Sequence, residues 1–126
     1  MDQRTTIRPH ISNIGPLSLN KPEEKFQNVT LRPIIKMQHD LIIGHLSHYL
    51  SIKKIPFNTM IPDQKKDMIH KIFQNDHSFK AEMRGMIMGH FTVEEYHIYA
   101  SIYREINRRM MSMVKDRMMG VILNKT

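Results

Sequence analysis

The sequence predicts an all-α protein: a bundle-like single domain of four to five helices with a long C-terminal helix. Three observations carry that expectation. Apolar residues recur at steps of three and four over long stretches, as in Tyr96, Tyr99, Tyr103, Ile106, Met110 and Met113, which places them on one helical stripe. Helix start signals recur too: Thr92 with Glu95 three residues later is a capping box, and Pro22-Glu23-Glu24 and Pro62-Asp63 combine proline with first-turn acids. Finally, no window alternates with period two over strand lengths, and Val, Ile and Thr are nowhere clustered between turn signals. At 126 residues the chain has the size of one ordinary domain and can bury a core without covalent staples.

Taken in order, residues 1–20 hold Pro9, Gly15 and Pro16 without a sustained period and read as a flexible N-terminal arm. Ile7, Ile11, Ile14, Leu17 and Leu19 give that arm apolar groups with which to dock. Residues 21–126 form the helical domain. A short first helix starts at Asn20 to Glu24, where a capping residue, a proline and two acids suit the positive end of the helix dipole. Thr30 offers a second cap, because Pro33 has no amide hydrogen to give and fits best in a first turn. From Leu31 to about Lys54, Leu31, Ile34, Ile35, Leu41, Ile42, Leu46 and Leu50 keep helical spacing, and Pro56 closes the run. A shorter helix follows Pro62, burying Met68, Ile69, Ile72 and Phe73 and ending at Asn75-Asp76. Phe79, Met83, Met86 and Ile87 mark the next, which Gly89 ends. The helix from about Val93 to Met119 is then expected to be central, with the Leu31–Lys54 helix packed against it. LIIGHLS at 41–47 echoes MIMGHFT at 86–92, but two copies of seven residues followed by different sequences do not make a repeat.

Composition narrows the function classes. The chain has no cysteine, which removes disulfides and thiolate metal sites and fits a reducing compartment. It has no long apolar run and no signal-peptide pattern at its start, so the expectation is a cytoplasmic protein with no membrane partner. The net charge of +7 is uneven, since residues 37–95 balance seven Lys/Arg with seven acids and the excess lies at the two ends. A basic balance favours anionic partners through long-range attraction.

Several residue groups have spacings with chemical meaning. Asp67/His70 and Glu94/His97 show the i, i+3 carboxylate–histidine spacing of di-iron bundles, yet both pairs face away from the apolar stripes and read as solvated. His39, His45 and His48 supply at most two ligands per turn without a third to complete a zinc site. No metal and no cofactor is therefore expected. His90 precedes a helix N-terminus, where free amides attract anions. Arg104, Arg108, Arg109 and Lys115 form a basic stripe that can track phosphates, with Glu105 placed to pair with Arg109. Twelve methionines are many for this length; Met111 and Met119 fall off the main stripe and point to a second packed face, within the chain or against another protomer. Nucleophile and phosphate-loop motifs are absent, so no catalytic residue is assigned.

The segments FQNVTLRPIIKMQHDL (26–41), RGMIMGHFTVEEYHIY (84–99) and INRRMMSMVKDRM (106–118) resemble a family of short bacterial all-helical proteins of unassigned biochemistry, often labelled glyoxalase. That label implies a lyase, whereas metal-dependent lyases of that kind carry His and Glu ligands on strands of βαβββ modules, for which this sequence has no pattern. The first expectation for function is thus a self-associating protein-interaction module using Met111 and Met119, a homo-oligomer or the partner of another protein. The alternatives are a nucleic-acid or anion binder using Arg104, Arg108, Arg109, Lys115 and His90, and a lyase of the kind the resemblance implies.

Overall fold

The computed structural model describes residues 3–9 and 21–124. The expected cap at Asn20 and most of the apolar groups of the arm lie outside these residues. Within them the chain is all-helical, in one domain with a long C-terminal helix. No helix among the described residues is long and apolar enough to cross a membrane.

Helix α1 (Pro22–Phe26) begins as expected, with Pro22 in the first turn beside Glu23 and Glu24. It does not stop before Thr30. The chain continues through a π turn (Gln27–Leu31) into α2 (Arg32–Met37), and Thr30 is buried inside this run instead of capping a new helix. Pro33 is accommodated because the π turn widens the hydrogen-bond register just before it, with the Arg32 N–H reaching back five residues to the Gln27 carbonyl. Gln38, at φ −90° and ψ 7°, then kinks the path before α3 (His39–Ile52). The expected Leu31–Lys54 helix is therefore two helices. Lys54 ends the second in a left-handed conformation (φ 56°), with the Lys54 N–H on Ser51 O at 3.1 Å and the Ile55 N–H on Leu50 O at 3.0 Å, the two bonds of a Schellman motif.

Helix α4 (Pro62–Asn75) and α5 (His77–Met88) lie where sequence places them, separated by Asp76. The Asp76 carboxylate accepts the Phe79 N–H at 2.9 Å as α5's N-cap and the Tyr49 hydroxyl at 2.6 Å, so one side chain starts a helix and ties it to α3.

The helix expected from about Val93 to Met119 is also broken, into α6 (Val93–Ser101) and α7 (Tyr103–Asn124). The break falls at Ile102 (φ −135°, ψ 27°), where the Ser101 hydroxyl donates to the Ile98 carbonyl at 2.7 Å and the Ile102 N–H turns back to Tyr99 O. Such a local hydroxyl–carbonyl bond competes with continuation of the helix. Asn107 Oδ1 accepts the Tyr99 hydroxyl at 2.7 Å and clasps the two pieces. The tyrosine stripe consequently dissolves: Tyr99 is buried, while Tyr96 and Tyr103 remain 49% and 46% exposed. The buried seam of α7 is Ile106, Met110, Val114 and Met118, one residue per turn, and it packs against α4, α5 and the π turn. The two copies of the short sequence echo differ as well, one lying within α3 and the other spanning the end of α5 and the α6 cap.

Candidate functional site

The junction before α6 is built around Glu95. The capping box forms as expected, with Thr92 Oγ1 accepting the Glu95 N–H at 3.1 Å and Glu95 Oε1 accepting the Thr92 N–H at 2.8 Å. The same carboxylate receives Arg8 from the N-terminal arm at two points, 2.6 and 2.8 Å, and the Thr30 hydroxyl at 3.2 Å. The Arg8 side chain is 6% exposed and that of Glu95 15%. Burial pushes the Glu95 carboxyl up, but Arg8, the Thr92 amide and Thr30 outweigh it and leave the group below its ordinary value. Arg8 also donates to the His90 carbonyl, and the His90 ring contacts the Gln38 amide. His90 is thus engaged within the protein, through its Nε2 with Gln38 and its carbonyl with Arg8, and of the amides around the start of α6 the capping box holds those of Thr92 and Glu95. Of the five apolar residues expected to dock the arm, Ile7 is exposed and Ile11, Ile14, Leu17 and Leu19 lie outside the described residues; Arg8, beside Ile7, makes a contact that the sequence did not signal.

The basic stripe of α7 divides. Arg104 lies over the Tyr103 ring, 5.9 Å from its centroid. Arg109 donates to Glu105 at 2.7 Å and to Gln27 of the π turn at 2.8 Å. Arg108 donates twice to Glu105, at 3.0 and 2.6 Å, and stays 70% exposed. Hydrogen bonds from Arg108 and then Arg109 lower the Glu105 carboxyl to about 2. The four cations thereby part company: Arg104 lies over its tyrosine, Arg109 is drawn inward to Gln27, Arg108 stays exposed and Lys115 is half-buried.

Arg108 and Lys115 meet two further cations. The packing of α5 on α7 opens a groove of about 460 Å³ whose walls carry Lys80 and Arg84 from α5 opposite Arg108 and Lys115 from α7. Asn107 and Ser112 add uncharged hydrogen-bonding groups, and Phe73 and Met111 supply the apolar floor. Among the described residues no carboxylate lines it. Among the described residues Lys80, Arg84 and Lys115 form no ion pair, and Arg108 shares its one partner, Glu105, with Arg109. Cations gathered around one groove raise the local potential, and an anion relieves their mutual repulsion. Sequence reasoning missed Lys80 and Arg84; their only linear signal is an i, i+4 spacing on the polar side of α5.

The remaining candidates are dispersed. Asp67, His70, Glu94 and His97 are exposed, as solvated pairs should be. His39 Nδ1 lies 3.2 Å from Arg117, whereas His45 pairs with Glu82 at 2.8 Å and stacks on Phe79, so the 39/45/48 trio does not converge. No cluster of three His, Asp or Glu that could hold a metal occurs among the described residues. Met111 and Met119 are half-buried and pack against the core, so neither stands as a free apolar face.

Comparison with known proteins returned no match: no family model fits the chain, and no curated protein and no solved structure is significantly similar to it.

Proposed function

We propose that this protein is a non-enzymatic binder of phosphate-bearing polymers, engaging the backbone of a nucleic acid through the α5–α7 groove. The observation that supports this reading is the convergence of Lys80, Arg84, Arg108 and Lys115, from two helices, on one groove with no carboxylate among its described lining residues. The net charge of +7 adds long-range attraction. Uncharged Asn107 and Ser112 donate to phosphate oxygens without selecting a base, and the one aromatic among the described lining residues, Phe73, is buried in the floor and not open for stacking, so recognition is of the backbone.

Charge reversal tests the assignment. Lys80→Glu with Lys115→Glu should remove binding of a fluorescent oligonucleotide, and inorganic polyphosphate should compete with the oligonucleotide on the native protein. Retention of full affinity by the double variant would place any binding elsewhere.

Self-association is a second reading, carried by a different surface from the one sequence indicated. Val93 and Tyr96 lie three residues apart on the outer side of α6, and both are exposed. Light scattering across a concentration series, on the native protein and on Tyr96→Lys, checks it: a monomer at every concentration removes the reading.

A further inference from the structure

A larger concavity, about 650 Å³, lies between the start of α2 and the C-terminal half of α7, and it shares no residue with the cationic groove. The helical period turns Met113, Asp116, Arg117 and Gly120 onto a different side of α7 from Arg108, Ser112 and Lys115. Its inner wall is apolar, made by Ile35, Met113 and Val121, while Arg32 and Arg117 bring guanidinium groups to it. Among the described residues no acid pairs with Arg117. A guanidinium has only donors, so its Nη1, 3.2 Å from His39 Nδ1, donates to that nitrogen and holds the ring as an acceptor there. Arg32 has no ion-pair partner among the described residues either. Asp116 lines the same site without lying in ion-pair range of either arginine. The formal balance of two guanidiniums against one carboxylate suits a monoanion. Size, apolar wall and a few polar groups of one dominant sign are the features of a small-molecule site.

We propose that this concavity binds an organic carboxylate with an apolar body, its head between Arg32 and Arg117 and its body along Ile35, Met113 and Val121. The proposal is independent of the polymer-binding groove. Arginine matches a carboxylate at two points, and the imidazole behind Arg117 fixes its direction without cancelling its charge.

The experiment uses the full chain and decanoate as the probe, read by calorimetry, with acetate as a head without a body and decyltrimethylammonium as a body of opposite charge. Gly120 supplies the blocking variant, because a Cβ there meets nothing within 4 Å and leucine is the better helix former. The expected result is one-to-one binding of decanoate, with neither control bound at the same concentration. Gly120→Leu and Arg117→Gln should each weaken that binding roughly tenfold or more while melting at the native temperature or above for the former. Lys80→Glu with Lys115→Glu should leave it unchanged, which separates this site from the groove. Absence of decanoate binding, equal binding by Gly120→Leu, or equal binding of decyltrimethylammonium overturns the proposal.

Discussion

Arg8 and Glu95, 87 residues apart in sequence, form a two-point ion pair on the same carboxylate that caps α6. One side chain therefore decides both where a helix begins and where the N-terminal arm is held. Removing one partner of a buried pair strands the other charge, at a cost of about 3 kcal/mol. Glu95→Ala loses the cap as well, so it should destabilise by about 3–4 kcal/mol in urea unfolding, against about 1 kcal/mol for Thr92→Ala. Arg8→Met with Glu95→Met should be less damaging than the sum of the single variants, and strict additivity would show that the two groups do not interact.

Acid sensitivity follows from the same group. Glu95 and Asp76 both have folded-state carboxyls below their ordinary values, Asp76 through the Tyr49 hydroxyl first and the Phe79 amide second. A depressed carboxyl stabilises the fold above its unfolded value and loses that contribution as pH falls through the folded value. Unfolding free energy should therefore decline from about pH 4.5 downward, near the ordinary carboxylate range. The decline should be shallower in Asp76→Asn.

The alkaline limb has the opposite sign. Burial, followed by the hydrogen bond to Asp76 and its charge, pushes the Tyr49 hydroxyl up to about 12. A raised folded value gives stability that is whole below the unfolded value of about 10 and is lost as pH rises through 12. Tyr49→Phe should flatten the stability profile between those limits, as measured by urea midpoints in a pH series.

Two backbone positions should accept stabilising changes. Lys54 holds a left-handed conformation that costs a side-chain-bearing residue about 1 kcal/mol, so Lys54→Gly should raise stability by about 0.5–1 kcal/mol. Gly44 lies exposed within α3 with nothing within 4 Å of an added Cβ, and Gly44→Ala should contribute a similar amount through helix propensity. Thermal melts of the two variants and their combination measure both.

Apart from Thr30, which caps no helix, the punctuation residues were legible in sequence, and continuity was not. The Thr92–Glu95 box, the starts at Pro22 and Pro62 and the stop at Asp76 act within a few residues of themselves, and each falls where its chemistry puts it. The breaks at Gln38 and Ile102 and the π turn before Pro33 left the apolar spacing nearly intact, so periodicity read through them. Tyr96 and Tyr103 kept the correct spacing for a straight helix that does not exist. The candidate groove was half visible: Arg108 and Lys115 stand on one helix and can be read from its face, whereas Lys80 and Arg84 reach them only through packing of α5 on α7. The Arg8 contact was invisible for the same reason, since nothing local marks which of the arm's residues meets Glu95.

The salt dependence of oligonucleotide binding tests the proposed function most directly. If Lys80, Arg84, Arg108 and Lys115 each displace a counterion, the logarithm of the association constant should fall with the logarithm of salt concentration at a slope of about −3 to −4 on duplex DNA. Each charge removed from the groove should reduce that slope by about one, for any base sequence. Fluorescence anisotropy from low to physiological salt provides the measurement. A slope near zero, or one unchanged in Lys80→Glu with Lys115→Glu, would contradict the assignment of the groove to phosphate.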